Sequence, residues 1–275
     1  MKFTDQGIII SQKNYSENSL ILKVFSQNHG IYRAFVSGSK SKKNQSIFQI
    51  GNLISFEWRS RNEDGLGQFY YVDLVKSFTA KIIFDRLRLS CCSSLFSIID
   101  SCFLEREEQQ DLFNKLHNFL KQISNDAAEK KSFIASYIKL ELKILETLGY
   151  GIDLSSCVVT NSTENLVFVS PKSARAVSLE AGEPYKNLLL KLPAFLLAEN
   201  SIEKRGVKND NEAENFNSRN AESAEKELEE NHKNLANNNL QDGLKLSGYF
   251  LEKFIFAERG LRPANRSNIE LALLA

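Results

Sequence analysis

Residues 33–45 read Arg33-Ala34-Phe35-Val36-Ser37-Gly38-Ser39-Lys40-Ser41-Lys42-Lys43-Asn44-Gln45, an apolar run that ends in small residues and then three lysines with no acid among them. The first half has the composition of a strand and the second that of a flexible, purely basic loop. Working outward, residues 7–11, 20–25, 31–36, 52–59 and 68–75 are rich in Ile, Val, Phe and Tyr and are separated by turn residues. Asn28-His29-Gly30 predicts a short hairpin between the second and third, and Glu63-Asp64-Gly65-Leu66-Gly67 another between the fourth and fifth. Five short strands in about 80 residues fit a small closed barrel, for which the OB-fold is one common five-stranded solution.

Beyond residue 80 the apolar spacing becomes helical. Residues 85–107 and 110–123 each predict a helix, and 131–148 is the clearest case. There Ser136, Lys139, Lys143, Glu146 and Thr147 share one stripe while apolar residues fill most of the remaining circumference, the pattern of a helix at the centre of a bundle. Gly149 is placed to end it. Residues 150–180 read as irregular with a hairpin formed by 166–169 and 176–178, and a helix is expected around 184–198. From 199 to 242 the chain turns acidic and Asn-rich, a composition that buries too little surface to offset ordering entropy, so a flexible or weakly helical insertion is predicted. Residues 243–258 resume an amphipathic helix. The fold class is therefore α+β: a barrel domain over 1–80, then a helical domain over 81–275 that contains the irregular hairpin region and the insertion.

The formal net charge of +1 averages an uneven chain. Residues 199–242 hold eleven acids against six Lys/Arg, whereas residues 1–80 hold ten Lys/Arg against six acids. The basic excess is one a polyanion could use, and also one that a solvated face carries. Cys91, Cys92, Cys102 and Cys157 include no CxxC pair and read as buried thiols. No run of about 18 apolar residues predicts a membrane span, and the first residues lack the apolar stretch of a signal peptide, so the cytoplasm is the expected compartment. Phosphate-loop, nucleophile-elbow and zinc-protease motifs are absent, and Gly65-x-Gly67 lacks the third glycine of a dinucleotide fingerprint. Neither an enzyme nor a cofactor is expected.

What remains is basic and aromatic. Lys40, Lys42 and Lys43 follow the third strand, Arg33 lies on it, and Arg59 and Arg61 share a face of the fourth by period two. Phe35, Trp58, Tyr70 and Tyr71 offer flat rings nearby. Lysines that neutralise phosphates and rings that stack on bases are what single-stranded nucleic acid requires. The alternative is that Phe35 and Trp58 fill the barrel and the lysines keep the loop soluble.

The residues resemble a known family, the bacterial recombinational-repair mediator RecO. The N-terminal part is similar to its signature in Gly7-Ile8-Ile9-Ile10-Ser11, Tyr15-Ser16-Glu17-Asn18-Ser19-Leu20-Ile21-Leu22, Val24-Phe25-Ser26, His29-Gly30 and Val36-Ser37-Gly38-Ser39-Lys40-Ser41-Lys42. A second landmark is Leu145-Glu146-Thr147-Leu148-Gly149-Tyr150-Gly151-Ile152-Asp153-Leu154, followed by Cys157. Val169-Ser170-Pro171-Lys172-Ser173 and Glu180-Ala181-Gly182-Glu183-Pro184-Tyr185 resemble the proteobacterial branch.

The resemblance implies an N-terminal OB-fold, a helical domain and a protein without catalysis that binds single- and double-stranded DNA at a surface including the basic loop. It implies annealing of complementary strands and, with RecR, loading of RecA onto DNA coated with single-strand-binding protein, in functional linkage with RecF, at the bacterial nucleoid. It also implies docking of the acidic tail of single-strand-binding protein on the helical domain, where Lys139 and Lys143 could supply charge. Many members carry a four-cysteine zinc site. Here only Cys157 remains, Thr160 stands at the expected second ligand, and a degenerate zinc-finger-like region over 150–180 without metal is expected. A non-enzymatic interaction scaffold, whose basic loop meets acidic proteins, is the competing reading, and a metal-dependent nuclease is a third.

Overall fold

The computed structural model describes residues 1–38, 41–61, 65–197, 239–260, 263 and 265–274. Five strands build a closed barrel: β1 (Lys2–Ser16), β2 (Ser19–Ser26), β3 (Gly30–Ser37), β4 (Asn52–Arg59) and β5 (Gly67–Ser77), in the order β1-β2-β3-β5-β4. Long β1 pairs with β2 on one edge and β4 on the other, and a short parallel contact of β3 with β5 closes the ring. Alternation places Leu22, Val24, Tyr32, Ala34, Ile54, Phe56, Trp58 and Phe69 in one core. Between β3 and β4 lies helix α1 (Lys42–Ile47), whose Ile47 and the following Phe48 plug the barrel. Five antiparallel-dominated strands with this plug form an OB-like barrel.

Lys42 and Lys43 therefore sit in a helix and not in a loop. Ser41 caps α1 by accepting from the Asn44 backbone N–H at 3.2 Å, and Asn52 Nδ2 donates to the Ser46 and Ile47 carbonyls at 2.8 and 2.9 Å. Six residues are too few for a stable helix alone. Capping and the buried Ile47–Phe48 end supply what propensity does not.

At the other end of the barrel, Asp5 organises the β2–β3 turn. Its side chain is 4% exposed, and its oxygens accept from Ser26 Oγ at 2.7 Å, the Gln6 N–H at 2.8 Å, and the Asn28 N–H, Asn28 Nδ2 and His29 Nδ1 at 2.9 Å. Burial pushes this carboxyl up, but these hydrogen bonds, His29 foremost, outweigh it and hold the pKa below its ordinary value. With a depressed folded pKa, the contribution is complete above the ordinary carboxylate range near pH 4 and is lost as pH falls through the folded value. Asp5→Asn is expected to cost about 2–3 kcal/mol at pH 7 and less near pH 3, below the ordinary carboxylate range, measured by thermal melts at the two pH values. Equal losses at both would refute the account.

Residues 105–110 pack on this turn. Ile31 forms a parallel bridge with Glu105, its carbonyl accepts from the Arg106 N–H at 2.9 Å, and Gln110 Nε2 donates to Asn28 Oδ1 at 3.0 Å. A Cβ on Gly30, at φ 78°, would stand 2.1 Å from the Glu107 carbonyl oxygen, so only glycine allows this approach.

Three helices follow: α2 (Arg86–Cys102), α3 (Gln110–Ile123) and α4 (Lys130–Thr147). Asp85 caps α2 through the Arg88 N–H at 3.0 Å. Arg88 itself donates to the Ile123, Asn125 and Ala128 carbonyls, closing the C-terminal end of α3. These helices and the barrel belong to one compact unit, Met1–Leu148 with Ile255–Ala275.

The second unit, Gly149–Phe254, holds a three-stranded sheet of β6 (Leu166–Val169), β7 (Ala176–Ser178) and β8 (Leu190–Lys191), with a short α5 (Leu179–Gly182). The hairpin read from sequence is present. The expected helix at 184–198 is not: 3₁₀ turns at Glu183–Leu188 and Ala194–Leu196 flank β8, because Pro193 lacks an N–H and disfavours helical geometry at the residue before it. The turn at Cys157 is held by backbone hydrogen bonds. The Cys157 N–H donates to the Ser162 carbonyl at 2.7 Å, and Sγ accepts from the Ser178 and Thr160 N–H groups at 3.3 and 3.5 Å. Burial opposes ionisation of this thiol, but those donors win and lower its pKa. Helix α6 begins at 239 and runs into a π turn at Glu252–Phe256, continuing to Arg259, and α7 (Arg266–Leu274) completes the first unit. Among the described residues no helix is long and apolar enough to cross a membrane. Most of the predicted acidic insertion, 199–238, lies outside the described residues.

Candidate nucleic-acid interface

The outer surface of the barrel follows from its register. One line of paired positions passes from Lys13 on β1 through Ile21 on β2, Phe35 on β3, Gln68 on β5 and Arg59 on β4 to Lys2 on β1. None of these six side chains lies in the core, and Lys13, Gln68, Arg59 and Lys2 are exposed. Phe35 and Arg59 are two strand spacings apart, about 10 Å. Tyr15, exposed on β1, packs edge-on against Phe35 with ring centroids 5.7 Å apart. Two residues beyond Phe35, β3 ends at Ser37 beside the β1–β2 turn, and Lys42 and Lys43 stand exposed in the first turn of α1 shortly after it. A strip of rings and cations thus winds around the barrel from β1 across β3 and β5 to the end of β4, and α1 begins beside the end of β3.

The basic residues singled out by sequence differ in how committed they are. Lys42 and Lys43 are exposed, and Arg61 is exposed in a bend beyond the end of β4, not on the strand face that period two assigns to it. Arg33 is ion-paired with Glu105. Arg59 pairs with Glu57 and lies over the Tyr70 ring, 4.3 Å from its centroid. Hydrogen bonding from Arg59, ahead of the Lys2 contact at 3.1 Å, holds the Glu57 carboxyl below its ordinary range. Lys40 lies outside the described residues. On α4, Lys139 and Lys143 are half-buried, and Lys143 bonds to Asp111 of α3 at 2.8 Å and to Glu146 at 3.2 Å. That first contact lowers the Asp111 carboxyl and raises the Lys143 ammonium.

Of the four rings, Trp58 is fully buried, with Nε1 donating to the Arg33 carbonyl at 3.3 Å, so it is core and not a stacking surface. Phe35 is half-buried, while Tyr70 and Tyr71 are exposed. Lys2, Lys13 and Tyr15 belong to the strip and were missed by sequence reasoning. The signal was available only as their positions on a strand whose register was unknown. Among the described residues no group of three or more His, Cys, Asp or Glu is placed to hold a metal ion.

A family model described as "Recombination protein O N terminal" matches residues 1–78, and one described as "Recombination protein O C terminal" matches residues 83–216. Similar proteins bear the name DNA repair protein RecO. That of Rickettsia canadensis (strain McKiel) is 41% identical over 201 residues, which are 73% of this chain and 80% of the relative. That of Rickettsia felis (strain ATCC VR-1525 / URRWXCal2) is 42% identical over 201 residues, 73% of this chain and 82% of the relative. That of Rickettsia bellii (strain OSU 85-389) is 40% identical over 200 residues, 73% and 80% respectively.

Proposed function

The chain belongs to the RecO family of DNA repair proteins, and from that premise we propose that it binds single- and double-stranded DNA along the barrel strip, anneals complementary strands and, with RecR, promotes loading of RecA onto DNA coated with single-strand-binding protein. The observation that carries this reading is the set of exposed cations on the outer surface of the barrel, with Tyr15 packed on Phe35 there and Lys42 and Lys43 exposed in the first turn of α1 just after β3. Cations near the start of α1 grip phosphates, whose spacing is independent of sequence, and no base-reading helix is required. Annealing needs both strands held without reading their sequence and without covering the base edges that must pair. A shallow outward strip meets that need better than a closed channel. The functional link to RecF, nucleoid association, the barrel boundary at residue 80 and the absence of turnover are parts of the same proposal. So is contact of the acidic tail of single-strand-binding protein with α4 at Lys139 and Lys143, where the tail would have to compete with Asp111 and Glu146 for Lys143.

The engaged state of Arg33 and Arg59 favours one second reading, a scaffold whose outer carboxylates and cations meet other proteins. Salt dependence separates the two. In a fluorescence-anisotropy salt series, Lys42→Ala/Lys43→Ala/Arg61→Ala is expected to weaken single-stranded and duplex binding alike. The slope of log affinity against log salt should fall by about 2 units, at about 0.7–0.9 for each phosphate no longer neutralised. Native protein that binds neither DNA form, or a variant with the native slope, would move the assignment to the scaffold.

A further inference from the structure

Strand β5 carries Tyr70 and Tyr71 in succession, and regular alternation would send one of two neighbours into the barrel. Both instead face outward. Phe69 is paired with Trp58 and Tyr71 with Glu57, so Tyr70 is the extra residue of a β-bulge. Phe69 fills the core, while Tyr70 and Tyr71 are 55% and 71% exposed. The register shift turns Phe69 and Val72 toward the core and leaves two adjacent rings in water between them. Beside them the Arg59 guanidinium rests on Tyr70 at 4.3 Å and is ion-paired with Glu57, which Lys2 also contacts at 3.1 Å.

We propose that Tyr70 and Tyr71 form a subsite selective for unpaired nucleotides, in which a base stacks on the exposed rings and Arg59 exchanges Glu57 for the adjoining phosphate. This assignment rests on the DNA-binding reading and adds to it the origin of strand selectivity. A duplex keeps its bases stacked on each other and offers this face only phosphates, whereas a single strand can turn a base onto a ring. The exchange at Arg59 swaps one anion for another, and Glu57 keeps Lys2, so neither charge is left without a partner. The lysines of α1 then serve both DNA forms and the tyrosines serve one.

The test compares a mixed-sequence oligonucleotide with a duplex of equal length at fixed salt, on the native chain, Tyr70→Ala/Tyr71→Ala and Tyr70→Phe/Tyr71→Phe. The alanine pair is expected to lose about tenfold or more in single-strand affinity, the worth of a stacked base, with duplex affinity unchanged. The phenylalanine pair keeps both. If the alanine pair does not fold, Tyr71→Ala alone makes the same comparison. Equal loss on both DNA forms, no loss on the single strand, or a phenylalanine pair as weak as the alanine pair would overturn the subsite while leaving phosphate binding in place. Native protein that binds neither form would overturn the underlying reading instead.

Discussion

Glu141→Ala is expected to lower the stability of the first unit by about 3–5 kcal/mol, the cost of removing the buried partner of a buried charge. Glu141 is fully buried on α4, and Arg266, 9% exposed at the side chain, reaches it from α7 with Nε at 2.8 Å from one carboxylate oxygen and a terminal nitrogen at 3.2 Å from the other. Tyr137 donates to Glu141 at 2.6 Å, and its hydroxyl meets Ser94 Oγ at 2.9 Å. Burial, and then the Glu141 charge, push the Tyr137 phenol well up, so it stays a donor. Burial alone would lower the Arg266 pKa, but Glu141 holds it above its ordinary value. Removing the acid leaves the buried guanidinium with the half-exposed Glu270, in a site built for two acids. Chemical denaturation followed through Trp58, the chain's single tryptophan and a member of the same unit, measures the loss. Glu141→Leu/Arg266→Leu should recover most of it, since an apolar pair restores packing without a stranded charge. A single variant within about 1 kcal/mol of the native chain, well short of the usual cost of a stranded buried charge, would show that water or a rearranged neighbour reaches the guanidinium.

The second large effect is expected at Gly67. A Cβ there would lie 2.0 Å from Trp58 Nε1 and 2.1 Å from Cε2, closer than any real contact. Trp58 is fully buried among barrel residues and cannot yield by moving into water, and Gly67 also makes the parallel pairing with Ala34 that closes the ring. Gly67→Ala should therefore cost about 3 kcal/mol or more through overpacking and shift the Trp58 emission to the red. Native emission and an unchanged melt would mean that the closure has slack that these distances deny.

Much of this architecture was legible in the chain. The five strands, the hairpin at 166–178 and helices α2 to α4 follow from alternation and helical period, because each has one buried face. The plug helix α1 did not, since Lys42-Lys43-Asn44-Gln45-Ser46 has loop composition and only Ile47 and Phe48 betray a buried end. Register was equally hidden. Two adjacent tyrosines read as a broken alternation until the pairing with Glu57 and Trp58 reveals the bulge. Carboxylate partners were out of reach for a different reason: Glu105 for Arg33 and Asp111 for Lys143 come from other elements, and spacing along one element says nothing about them.

The ion pair of Glu141 with Arg266 joins residues 125 positions apart, with the whole second unit between them. At ribosomal rates of about 5–20 residues per second, α4 leaves the tunnel roughly 6–25 s before its arginine does. Throughout that interval the Glu141 carboxylate has the Tyr137 hydroxyl of its own helix but not its cation. The ion pair of the first unit is thus completed only by residues made after the whole second unit.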